Sequence, residues 1–307
     1  MRWAIAIVLV LVGCQAPVPP PPSAPARERG VAAADAVVEA FRDHEVVAIG
    51  EYHGSAAEHE FLRDLLGDPR LTDVLDDVAV EFGSARHQRT IDRYVAGEKV
   101  SEADLALVWT DTTQQSGVWD DPVYRQFFDR VREVNGARSP QERIRVLLGD
   151  PPIDWRAITA TASCNDAEPS CLDYWILGRD EHFASVVQAA IDDGRRVLVV
   201  AGAGHVLRNP DRPEARSLVD LLDATATHQI WTLVPPAPGA LESLSPYLAP
   251  NLTGTPLAVA LDSGPMAGQL ADPLFSSGTV TCDPAPCPSE VPRTVTLSGV
   301  ADALLIL

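Results

Sequence analysis

Positive charge is scarce in this 307-residue chain: 24 Lys and Arg stand against 43 Asp and Glu, a formal net charge of −19. So acidic a chain repels phosphate backbones, which argues against nucleic acid as a partner. Long apolar runs are missing as well, and the run from Ala4 to Val12 is too short to cross a bilayer. No glycine period and no sustained heptad occurs, which excludes collagen-like and coiled-coil rods. Familiar catalytic signatures are absent too. There is no G-x-S-x-G elbow, no G-x-x-x-x-G-K-[ST] loop and no H-E-x-x-H helix; His44-Glu45 and His59-Glu60 both lack the second histidine. Gly202-Ala203-Gly204-His205 lacks the third glycine of a dinucleotide fingerprint. What is present is a 46% hydrophobic composition, enough to bury a sizeable core.

The apolar run opens the chain behind Met1-Arg2-Trp3, the pattern of a secretory signal of residues 1–14. It ends Leu11-Val12-Gly13-Cys14, which resembles the lipobox of bacterial lipoproteins. That resemblance implies lipidation of Cys14 and a membrane as partner through several acyl chains, which hold far more firmly than one. It makes the protein an exported, membrane-anchored lipoprotein of the outer membrane or periplasmic face. The alternative is an ordinary signal peptide in which Cys14 is incidental. Residues 15–30 form a proline-rich tether, expected to be extended and without fixed packing. Four further cysteines fall in two close pairs, Cys164 with Cys171 and Cys282 with Cys287. In an exported chain they predict two local disulfides, although three connectivities are open; a metal site is the rival reading, with spacings wider than C-x-x-C and no histidine nearby.

Residues 31–307 read as one domain. Apolar runs at 46–49, 77–82, 145–148, 196–201, 230–234 and 303–307 have the length and composition of buried strands. Amphipathic stretches lie between them, including Val31 to His44, a helix opened by a Ser55–Glu58 capping box, and a long helix over 173–193. The alternation predicts an α/β fold, a largely parallel central sheet flanked by helices on both faces. Residues 84–143 exceed what one crossover needs and predict a helical cap over one end of the sheet. Residues 236–300, rich in Pro, Gly and Ser, predict an irregular region.

The informative polar residues follow the strands. The first runs into Gly50-Glu51-Tyr52-His53-Gly54, the second carries Glu81, the third ends in Gly149-Asp150 and the fourth in Gly202-Ala203-Gly204-His205. Open α/β sheets bind ligands outside the carboxyl ends of their strands, so these groups are expected at one edge. Two histidines and two or three carboxylates can hold a divalent transition metal or activate a water by general-base catalysis. The bland alternatives are that Glu51 caps a following helix and that Asp150, before Pro151-Pro152, starts a turn. With the other cysteines expected in pairs and no serine elbow, any hydrolysis would use water directly.

These motifs resemble a superfamily that groups haem-binding uptake lipoproteins of the ChaN type, Tiki and TraB proteins, and erythromycin esterase-like enzymes. The residues that carry the resemblance are Gly50 to His53, Glu81 and Gly202 to His205. Glu58-His59, Tyr94-Val95-Ala96-Gly97, and Trp119-Asp120 with Pro122 and Tyr124 match the ChaN branch. The likeness covers roughly residues 45 to 207. It implies an erythromycin esterase/ChaN-like α/β fold and two functional expectations. One is capture of haem, or an iron-bearing small molecule, with Tyr52, His53 and His205 as iron ligands, Arg179 facing propionates and Asp150 beside the ligand. The other is a hydrolase, esterase or peptidase, in which Glu51, His53, Glu81 and His205 bind a divalent metal or a water, with Glu81 or His53 as base. The esterases have one more residue between glutamate and histidine, so macrolide opening is not what this chain's spacing implies.

Overall fold

The computed structural model describes residues 27–114, 117–161, 165–211, 213, 215–225, 230–249, 254–271, 275 and 295–307. The signal, Cys14, the tether up to residue 26, and Cys164, Cys282 and Cys287 lie outside the described residues. Cys171 is disulfide-bonded. Among the described residues no helix is long and apolar enough to cross a membrane.

Eight strands form one sheet: β1 (Val31–Ala32), β2 (Val46–Glu51), β3 (Asp77–Ser84), β4 (Arg145–Asp150), β5 (Val197–Gly202), β6 (Ile230–Val234), β7 (Leu257–Ala260) and β8 (Ala303–Ile306). Their order is β1-β7-β8-β6-β2-β5-β3-β4. Every pairing is parallel except β1 with β7 and β7 with β8. The central strands are runs such as VVAIGE and VLVVAG, buried along their whole length. β-Branched side chains suit that pleated, doubly covered environment.

Period-two alternation sends each strand's side chains into two separate cores. Val47, Ile49, Val78, Val80, Phe82, Leu198 and Val200 enter one; Val46, Ala48, Ala79, Val197, Val199 and Ala201 enter the other. Each Val, Leu, Ile or Phe among them contributes roughly 1.5–3 kcal/mol on full burial. The first core is closed by α1 (Ala33–Asp43), α2 (Ala56–Leu66), the single turn α3 (Pro69–Thr72), α4 (Gln88–Val95), α5 (Glu102–Thr110) and α6 (Pro122–Gly136). The second is closed chiefly by α8 (Arg179–Asp192), α9 (Ala203–Val206) and α10 (Leu218–Asp223), while the short α7 (Leu172–Leu177) precedes α8 outside that core.

Four expectations change. The stretch 84–143 supplies a layer on one sheet face, through Ile91, Leu105, Phe127 and Val131, and not a cap over its end. Its turn around 111–121, with Arg86 and Tyr124, reaches the strand ends. The long helix over 173–193 breaks at Gly178, where the backbone (φ −87°, ψ 9°) leaves the helix for one residue before α8 begins. Apolar spacing continues across that break and hides it. The region 236–300 includes β7, which pairs β1 and β8 and completes the sheet. The tether's last residues join the fold, since Glu28 N–H donates to Tyr247 O at 2.7 Å.

Candidate functional site

The strand order reverses around β2, β5 and β3, and the carboxyl ends of these strands define a crevice. Alternation decides which side each group serves. Glu51 follows Val47 and Ile49 toward the α2 layer; Glu81 follows Ala79 toward α8. Between them β5 ends in Gly202.

Glu51 is 1% exposed and bridges two imidazoles. His53 Nδ1–H donates to its Oε1 at 2.5 Å and His59 Nε2–H to its Oε2 at 3.1 Å. Burial pushes the Glu51 carboxyl up, but the two imidazoles more than offset it, so the net shift is downward and the group is ionised. Burial lowers His53, and Glu51 and Glu81 outweigh it, raising its basicity above that of a free imidazole. His53 is 35% exposed in its side chain, packs edge-on against Trp119 with ring centroids 4.5 Å apart, and leaves Nε2 without a protein partner among the described residues. Gly54 takes a left-handed φ of 75°, which turns the chain so that its N–H donates to the buried Tyr124 hydroxyl at 2.7 Å.

Glu81, 3% exposed, forms the second centre. Its Oε1 accepts from the Arg179 guanidinium and lies 3.2 Å from His205 Nε2; its Oε2 accepts from Gly202 N–H at 2.6 Å. His205 Nδ1–H donates to Asp180 at 2.5 Å. Both ring nitrogens thus face carboxylates. Burial alone would lower His205, but Glu81 and Asp180 push it up to about 10, so it is an imidazolium at neutral pH. Glu81 is held well below the usual carboxylate range, since His205 and Arg179 outweigh its burial.

Asp150 is fully inside. It accepts from the Thr113 N–H at 2.8 Å and the Thr113 hydroxyl, with Arg179 Nε 3.5 Å away. Burial pushes it up to about 7 against those contacts. Gln114, with its amide oxygen turned to the guanidinium, accepts from Arg179 at 2.7 and 3.1 Å. Glu58 does not close a box with Ser55; its carboxylate accepts from Tyr52 N–H at 2.6 Å and burial raises it to about 7.

The structure therefore brings Glu51, His53, Glu81, Arg179 and His205 together around β5. Asp150 stands one step back, behind Arg179, and is not exposed to a ligand. Arg179 is engaged by Glu81, Asp150 and Gln114, so it is not free for propionates. Tyr52 packs against the second core, and burial together with Glu58 pushes its phenol up to about 12, so it is protonated at neutral pH. The expected metal set also fails on geometry. Among the described residues no three His, Cys, Asp or Glu converge as metal ligands. The oxygens of Glu51 and Glu81 are taken by N–H donors, and a guanidinium lies on Glu81 where a cation would need negative charge. Asp180, Thr113 and Gln114 were not foreseeable as site residues, and His59 was marked only within the Glu58-His59 match, with no role; each sits in a helix or turn where polar side chains ordinarily meet solvent.

No protein-family model matches the sequence, and no curated protein does. In structure the chain is similar to a crystal structure of a Bacillus cereus protein, with a TM-score of 0.57 at 11% identity over 92% of this chain and 93% of that one. It is less similar to Campylobacter jejuni ChaN, solved with cofacial haem, at TM-score 0.41 and 14% identity over 65% and 84% of the two chains. The type III effector HopBA1 aligns at TM-score 0.39 and 17% identity over 69% and 86%. The Bacillus likeness spans nearly the whole chain and is one of fold.

Gly202 is where backbone and site approach most closely. A Cβ there would lie 2.8 Å from His53 Cε1 and 3.2 Å from Glu81 Oε2. Gly202→Ala should therefore displace the His53 ring and cost about 10²-fold in any activity that uses it, with little change in melting temperature. Unchanged turnover in that variant would mean that the ring position is immaterial.

Proposed function

We propose that the protein is a hydrolase that activates water with His53, without a metal ion. The observation that carries the reading is the Glu51–His53 pair. A buried, ionised carboxylate accepts the hydrogen bond from Nδ1–H, fixes the tautomer and leaves Nε2 as a partly exposed base. In the first step a water proton passes to His53 Nε2 while its oxygen adds to the carbonyl carbon of an ester or amide. In the second the tetrahedral adduct collapses, the carbon–leaving-group bond breaks, and the proton on Nε2 goes to the departing alkoxide or amine. Glu51 stabilises the transient imidazolium. The fixed positive charges of His205 and Arg179 favour the charge that develops on the carbonyl oxygen, through their field, since their N–H groups already serve carboxylates and the Gln114 amide. Glu81 holds both cations in place and is too acidic to act as the base.

A second reading rests on the same open nitrogen. An imidazole anchored at Nδ1 by a carboxylate is also how a protein presents an axial ligand to iron. Haem captured by His53 is therefore the alternative.

One experiment addresses both. Purified protein is assayed on aryl esters, lactones and peptides with and without chelator, and titrated with haem while the Soret band is followed. Turnover that survives the chelator supports the hydrolase; absence of turnover across the panel overturns it. A saturable Soret shift that disappears in His53→Ala supports haem capture.

A further inference from the structure

Behind Glu51, and away from the open side of the site, lies a side chain that the water-activating step does not use. His59, on α2, is 0% exposed. Its ring is enclosed edge-on by Phe82, Tyr124 and Phe127, with centroids at 5.8, 4.9 and 6.4 Å. Among the described residues its Nδ1 is buried with no hydrogen-bond partner, a state that costs stability. A leucine in this aromatic box would fill it without that cost. The nitrogen that does find a partner is Nε2, 3.1 Å from Glu51 Oε2.

Because an ionised carboxylate only accepts, the Nε2 must carry the proton. Nδ1 has no acceptor beside it, so the ring meets Glu51 through a single fixed donor. The consequence falls on Glu51. The terminal torsion of a glutamate is a broad two-fold rotor, and one hydrogen bond leaves the carboxylate free to swing. Two imidazoles, one on each oxygen, fix its plane.

We propose that His59 is a positioning residue for His53. By pinning Glu51 Oε2 it directs Oε1 at His53 Nδ1, and so keeps His53 Nε2 bare and in one place. The inference deepens the hydrolase reading and rests on it for its kinetic consequence, but the geometric claim can be read without turnover.

The test compares His59→Leu, which fills the box without a donor, with His59→Gln, whose Nε2 reaches the same point along the side chain. A 2.5 Å N–H···O bond places the His53 Nδ1 proton far downfield in the proton NMR spectrum, and His53→Asn, which has no ring, assigns it by loss of the signal. In His59→Leu the resonance should broaden away, and kcat on p-nitrophenyl acetate should fall by about 10- to 100-fold with KM unchanged, as when a supporting partner of a site residue is removed. His59→Gln should keep both. If His59→Leu fails to fold, His59→Asn, too short to reach Glu51, takes its place with the same expected losses. The inference is overturned if the donorless variant keeps the wild-type resonance, or if His59→Gln loses as much as His59→Leu. If the wild type hydrolyses no ester, the functional reading falls, while the NMR comparison still decides the role of His59.

Discussion

His53→Asn should lower kcat for ester or amide hydrolysis by about 10²- to 10⁴-fold, the range lost when a general base is removed. Asparagine is the informative replacement. Its amide nitrogen lies near the place of Nδ1, so the contact with buried Glu51 can persist, whereas nothing replaces Nε2. Glu51 is then not left as an unpaired buried charge, and His59 still holds its other oxygen. The fold should survive, with a melting temperature close to wild type and KM little changed. A loss in kcat alone would identify Nε2 as the group used in the transition state. An equal rate in wild type and variant would remove His53 from the chemistry and, with it, the hydrolase. A glutamate-to-glutamine change at position 51 should act in the same direction, since a neutral amide cannot stabilise the imidazolium. Its effect should be smaller than that of losing the base itself.

The sheet's central strands and their polar ends were legible because both signals are local. Runs such as VVAIGE and VLVVAG are apolar over a strand's length, and a glutamate or histidine where such a run stops is conspicuous. The members contributed by helices were less so: Arg179 and His59 were picked out only through the family resemblance, and Asp180 was not picked out. His59 lies in α2 and Asp180 in the first turn of α8, and a polar residue in an amphipathic helix is by default on the solvent face. Only tertiary packing turns them inward, onto Glu51 and His205. The metal expectation failed for a related reason. Residue types can be counted in a sequence, but the hydrogen-bond partners that occupy their lone pairs cannot. Arg179 decides the matter, and it stands 98 residues from Glu81 in the chain. Gly178 shows the limit of periodicity in another way, because apolar spacing runs unbroken through a residue at which the helix ends and restarts.

Glu81→Gln should produce the largest loss of stability at the site, on the order of 3–5 kcal/mol, because it breaks a buried ion network from one side. Arg179 and His205 would remain largely buried, and a glutamine oxygen cannot serve these two cations and Gly202 N–H as a carboxylate does. The pH dependence follows from the two shifts. His205 is raised in the folded chain from an ordinary 6.5 to about 10, so its contribution is complete below about pH 6.5 and is lost as pH rises toward 10. Glu81 is lowered from an ordinary 4.5, so its contribution is complete above about pH 4.5 and is lost as pH falls below that. Together they place the maximum for this pair between those values. In Glu81→Gln the part of the acid limb that Glu81 contributes should be lost, while Glu51, also lowered, keeps its own. The alkaline limb should flatten, because without Glu81 only Asp180 still favours the imidazolium against its burial. Calorimetric melting temperatures from about pH 2 to about pH 10 check this directly. Wild-type and variant curves that stay parallel across the range would mean that His205 and Glu81 do not share a buried ion pair, and that the positive field assigned to the site has another source.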